Sequence, residues 1–348
     1  MPALCVRVFS MPVVYKSSQA WLHRFAILTA ILTFALLFIG GLVTSHQAGL
    51  SVPDWPTSYG WNMFTFPMKD WTGNIFYEHT HRLFASLVGF LILSLAILLQ
   101  IYEPRKWVKR LGWFALGGVV AQGILGGITV LTYLPPAVSS AHAGLAQAVF
   151  CLTLAITMVT GKQWGLQRTK VKEKTKLGVR TLSLLTVCVI FTQLMLGAVM
   201  RHTFSGLAIP TFPFAPNGSL IPDFTSFGVA INFAHRVWAL VVTGMMFLTA
   251  RSIFRWYPRE KSLVIPMIVG MFLLGIQIML GAITIWTSKA VTPTTLHVSC
   301  GAAILGTMVY IMVKSRHVLA PKAAHRTDGT YVAAKDLALA TGNMVTGE

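Results

Sequence analysis

Four histidines carry the strongest chemical signal in this chain. His81 in EHTHRLFASLVG and His142 in SSAHAGLAQAVF recur roughly 155 residues further on as His235 in INFAHRVWALVV and His297 in TTLHVSCGAAIL. Each lies at one end of an apolar run long enough to cross a bilayer. An imidazole at membrane depth is costly without a partner, and two imidazoles facing each other across a helix bundle suit the axial positions of a heme. Zinc or copper also accepts imidazole, but neither half supplies the further Cys, Asp or Glu ligands that a tetrahedral site requires.

The elements that must position these histidines follow from composition. The 348 residues are 55% hydrophobic and 11% charged, with a mean hydropathy of +0.67, which excludes an ordinary soluble domain. Apolar runs lie near 24–45, 80–101, 111–132, 140–160, 181–200, 232–254, 264–286 and 294–314, each close to the ~20 residues a bilayer requires. A backbone crossing lipid must satisfy its own hydrogen bonds, so these runs predict eight transmembrane helices and an all-α integral membrane protein. The first run is too long for a signal-peptide core and lacks a small-residue cleavage site, so it is expected to be retained.

The net charge of +18 reports orientation rather than nucleic-acid binding. Arg105, Lys106, Lys109 and Arg110 follow the second run, a basic stretch from Lys162 to Arg180 follows the fourth, and Arg251, Arg255, Arg259 and Lys261 follow the sixth. The opposite connections carry only Lys69, Arg201 and Lys289. The positive-inside rule then places both termini in the cytoplasm of a cell whose inner (plasma) membrane holds the chain, with the basic loops solvated beside anionic lipid. Cys5, Cys151, Cys188 and Cys300 have no metal-ligand spacing and form no pair in an outer loop, so no structural disulfide is expected.

The repeat extends beyond the histidines. GGLVTSHQAGLSVPDWP at 40–56 aligns with GAVMRHTFSGLAIPTFP at 197–213, and QGILGGITVLT at 122–132 aligns with QIMLGAITIWT at 277–287. Each unit holds an even number of helices, so both enter from the same side, and a pseudo-two-fold axis along the membrane normal is expected to relate them. The resulting organisation is a cytoplasmic segment at 1–22, a four-helix bundle at 23–161, a basic linker at 162–179, a second four-helix bundle at 180–315 and a cytoplasmic tail at 316–348. Gly40, Gly41, Gly126, Gly127, Gly197 and Gly281 take matching places in the odd-numbered helices, permitting close approach of a neighbouring helix or of a flat macrocycle. Gln122 and Gln277 are matched too, and can hydrogen-bond across helices or to a ligand.

The remaining polar residues define what surrounds the ligands. His79 points away from His81 and has Phe233 as its counterpart, His46 and His202 fall in connections, and His23, His317 and His325 lie at the opposite side of the membrane. Arg82 and Arg236 directly follow two of the ligand histidines. Either arginine suits a heme propionate, or snorkels to headgroups, and Arg82 can instead pair with Glu78 one turn earlier. The halves differ at two carboxylates: Glu78 has Asn232 as its counterpart, and Asp54, in a turn before Trp55 and Pro56, has Thr211. A carboxylate beside a low-dielectric pocket can act as a base or stabilise a developing cation. This asymmetry assigns chemistry to the first half and a permanent cofactor to the second.

Together, Glu78-His79-Thr80-His81-Arg82, His142, His235 with Arg236, His297 and the loop GLSVPDWP give a chain that resembles the heme A synthase family from its first helix through its eighth. The resemblance implies oxidation of the C8 methyl of heme O to a formyl group by successive hydroxylations, giving heme A for terminal oxidase biogenesis. It further implies substrate heme between His81 and His142, Glu78 as the catalytic carboxylate, and heme b between His235 and His297. The implied partners are heme O, the heme O synthase that supplies it, an unidentified electron acceptor and the lipid bilayer, with no nucleic acid. Some bacterial members carry a cysteine pair in the first outer loop, whereas residues 46–78 here contain none, which argues against a thiol-dependent step there. Two rival readings use the same features: a diheme, quinone-linked cytochrome b that leaves its hemes unaltered, and a transporter with related halves. The transporter fits less well, because its polar residues would gather at broken helices near the midplane.

Overall fold

The computed structural model describes residues 20–165, 171–175 and 177–320. Cys5, His325, most of the 1–22 segment, part of the 162–179 linker and the tail beyond 320 lie outside them. Eight helices are long and apolar enough to span a membrane: α1 (Ala20–Ser45), α2 (Asn74–Tyr102), α3 (Lys106–Leu131), α4 (Pro136–Thr160), α5 (Val179–His202), α6 (Phe227–Trp256), α7 (Lys261–Trp286) and α8 (Val291–Val318). Large apolar side chains such as Phe114 (69% exposed) and Leu240 (72% exposed) point outward from these helices. Lipid, not water, is the solvent that accepts such a surface. The chain is an all-α, multi-pass membrane protein.

The helices overrun the apolar stretches that announce them. α2 starts at Asn74, α3 at Lys106 and α6 at Phe227, because polar and interfacial residues continue the hydrogen-bond ladder past the hydrocarbon. His81, His142, His235 and His297 therefore sit about two turns inside their helices instead of opening them. Arg201 and His202, read from sequence as part of a connection, are the last residues of α5. Local chemistry sets several ends: Pro136 occupies the first turn of α4, and the Ser226 hydroxyl caps α6 by accepting from Val229 N at 3.3 Å. α8 also runs past the expected bundle end to Val318, and Val171–Lys172 of the linker pairs in parallel with Leu319–Ala320. This small strap is the one departure from helix and turn that pairs strands among the described residues.

Helix α1 packs on α2 and α4, and α3 packs on the same two; likewise α5 and α7 each pack on α6 and α8. Contacts of α1 with α8, and of α4 with α5 and α8, join the two sets along a seam. In each set the apolar core lies at the end remote from the histidines. Leu22, Leu95, Leu99, Val108 and Ile156 form one core, and Leu263, Met267, Met246, Met308 and Ile311 form the other. Packing thus seals one end of each set and leaves the other to polar residues.

Candidate functional site

The first site is built from α1 to α4. His81 is carried by α2 and His142 by α4, both of which pack on α1 and α3. Each ring rests against a glycine of the neighbouring helix: a methyl group on Gly40 would sit 3.2 Å from His81 Cε1, and one on Gly126 would sit 3.2 Å from His142 Cε1. Gly40 and Gly126 are therefore ring cradles, whereas Gly41 faces Thr295 and Gly127 faces Trp55. Gln122 Nε2 donates to the backbone carbonyl of His142 at 2.9 Å, so this amide binds the ligand-bearing helix. Glu78 is buried, one turn before Arg82. Its Oε2 accepts from Val52 N at 2.7 Å, and its Oε1 pairs with Arg82 Nη2 at 2.7 Å.

Arg82 is the fastener of the first outer loop. Its Nη1 donates to the carbonyls of Asp54 at 2.7 Å and Thr57 at 3.0 Å, and its Nη2 to that of Val52 at 2.6 Å. Of the sequence alternatives, pairing with Glu78 is the contact observed. Asp54 organises the loop from within, accepting from Thr57 Oγ1 at 2.5 Å, Tyr59 N at 2.7 Å and Gly60 N at 2.9 Å. Burial pushes its carboxyl up, but these donors outweigh that and hold it below its ordinary value. Trp55 fills the space beside Gly127, where a methyl group would lie 2.6 Å from the indole. His79 is fully buried under the loop, 3.1 Å from Ser58 Oγ and packed on Phe66 and Trp71. His46 stacks on Tyr77 at 3.8 Å. Both histidines hold the loop and stand apart from the ligand pair.

The second site repeats this plan in α5 to α8 with different polar neighbours. The His235 and His297 rings have centroids 6.5 Å apart. Methyl groups on Gly197 and Gly281 would sit 3.0 and 3.1 Å from their Cε1 atoms. His297 Nδ1 lies 3.2 Å from the Gln277 carbonyl, a contact that fixes the ring. Gln277 Nε2 approaches His297 Nε2 at 3.4 Å, and Gln193 Nε2 approaches His235 Nε2 at 3.3 Å. Gln193, which also donates to the His235 carbonyl at 3.0 Å, is a site residue that the repeat cannot reveal, because Leu36 stands at its place in the first half. Arg236 donates to Asn232 Oδ1 at 3.0 Å and to the Ile209 carbonyl at 2.8 Å. Asn232 in turn donates to the carbonyls of Ser205 and Gly206. An amide thus does for the second outer connection what Glu78 does for the first, without a charge.

The His235–His297 pair has the spacing of a bis-imidazole heme site, and His81 and His142 offer the same donors. Nδ1 of His81, His142 and His235 is buried with no hydrogen-bond partner among the described residues, as are Thr80, Ser139 and Ser140 hydroxyls around the first site. The 6.5 Å between the His235 and His297 rings would leave room for one metal atom at roughly 2 Å from a nitrogen of each. Among the described residues no cluster of three or more His, Cys, Asp or Glu could hold a bare metal ion. His23, near Thr160, and His317, stacked on Trp164, stand at the far end of the helices.

The COX15-CtaA family, described as cytochrome oxidase assembly protein, matches residues 23–309. A protein of Listeria welshimeri named heme A synthase is 22% identical over 300 residues, covering 85% of this chain and 94% of the relative. A protein of the same name from Bacillus mycoides is 24% identical over 305 residues, covering 85% and 95%.

Proposed function

The chain belongs to the COX15-CtaA family of cytochrome oxidase assembly proteins, and from that membership we propose that it is an enzyme converting heme O to heme A. The reaction oxidises the C8 methyl of the substrate to a formyl group by successive hydroxylations. One observation carries this reading: two histidine pairs share a plan, and only the first has a buried carboxylate, Glu78, beside it. The names of the relatives point the same way.

In this reading the 23–161 bundle takes substrate heme O between His81 and His142, and the 180–315 bundle holds heme b between His235 and His297. The two bundles are related by a pseudo-two-fold axis along the membrane normal. Bound heme b supplies one-electron redox chemistry. Glu78, held by Val52 N and Arg82, stabilises positive charge developing at the methyl carbon and accepts a proton leaving it. The glycine cradles keep all four rings from turning away. Arg82 and Arg236 border the two sites as propionate ligands, and the loop carbonyls already bound by Arg82 leave Arg236 the better placed. Substrate comes from a heme O synthase, electrons leave to a separate acceptor, and the basic loops with both termini face the cytoplasm of a cell whose inner membrane holds the protein.

Expression with a heme O supply, followed by extraction and chromatography of the hemes, tests this reading. Heme A is the expected product. Recovery of unaltered heme alone would assign the protein to electron transfer, as a diheme cytochrome b.

A further inference from the structure

Arg201 is a half-buried cation that the reaction just described does not use. It ends α5, and its Nη2 donates to the Gly41 carbonyl at 3.0 Å and to Ser45 Oγ at 2.8 Å, both on α1 across the seam. Ser45 Oγ also accepts from Thr295 Oγ1 at 2.8 Å, two residues before His297 on α8. Of the cations near the sites, Arg82 has the Glu78 carboxylate, whereas Arg201 makes no ion pair among the described residues. Its bonds to Gly41 and Ser45 are both made by Nη2, which leaves Nε and Nη1 as free, accessible donors among those residues. A guanidinium partly withdrawn from water with only neutral acceptors lacks a counter-charge.

Its position says what supplies that charge. Arg201 lies one helical turn from Gly197, the cradle of His235, so both face the second site. Its partner Ser45 is bound in turn by Thr295, on the helix that carries His297. The corresponding first-half residue is Thr44, so this cation belongs to the second site alone. An arginine offering a fork of donors at the edge of a heme site matches a carboxylate.

We propose that Arg201 binds a propionate of the heme held by His235 and His297 and, through Gly41 and Ser45, ties that heme to the first half of the molecule. This rests on the two-heme reading above. Guanidinium pairing offsets the propionate charge near the iron, which favours the reduced state.

Arg201→Gln, Arg201→Lys and Ser45→Ala are compared with the parent protein, each purified with its heme, by heme content, absorption spectrum and midpoint potential. Arg201→Gln is expected to keep the bis-histidine spectrum and to shift the reduction equilibrium of the second-site heme about tenfold toward the oxidised form, ~59 mV for a one-electron couple. Arg201→Lys restores most of that shift, and Ser45→Ala gives a smaller one in the same direction. An unchanged potential in Arg201→Gln overturns the proposal, as does an unchanged potential in both other variants should Arg201→Gln fail to fold. A parent protein with no bis-histidine heme would overturn the two-heme reading itself, a result distinct from either.

Discussion

At the scale of single residues, the two sites differ by a charge rather than by a shape. Glu78 and Asn232 each tether an outer connection to its helix and each accept from the arginine one turn later, but only Glu78 does so as an acid. Glu78→Gln retains an oxygen to accept from Val52 N and removes the charge. It is expected to leave the second-site heme spectrum unchanged and to lower heme A formation about 100-fold or more, measured in extracted hemes. Full activity in that variant would remove Glu78 from the chemistry. The tether itself is not legible in the sequence: that Val52 N reaches back to Glu78, or that Arg82 spends its donors on Val52, Asp54 and Thr57, depends on how a loop folds over a helix end.

At the scale of helices, the repeat made the four matched histidines and the glycines near them readable, because a duplicated pattern marks matched depths without any knowledge of packing. What it could not show is that four of them, Gly40, Gly126, Gly197 and Gly281, face histidine rings, a relation between neighbouring helices. Nor could it expose Gln193 or Arg201, whose counterparts Leu36 and Thr44 carry no matching chemistry. The cradle gives a direct expectation. Gly197→Val places a side chain against His235 and is expected to weaken second-site heme retention about tenfold or more, since overpacking costs ~1–3 kcal/mol. Gly275→Val, on α7 with nothing within 4 Å of the new carbon, is expected to retain it. Heme-to-protein ratios after purification compare the two, and equal loss would mean that the cradle is not what matters.

At the scale of the molecule, two apolar cores sit at one end and two histidine pairs at the other. The charge asymmetry of the connections predicts which end faces the cytoplasm. A cysteine at exposed Lys69 is expected to react with a membrane-impermeant reagent in intact cells, and one at exposed Lys106 only after lysis; the reverse pattern would invert the topology. The depth of the histidines, about two turns or ~10 Å from their helix ends, then has an electrical consequence. Moving one charge across a whole membrane at 100 mV involves ~2.3 kcal/mol. Protons released beside Glu78 leave through the near face and traverse little of that field. Methyl oxidation in this molecule is therefore expected to proceed at nearly the same rate whether the membrane is energised or collapsed.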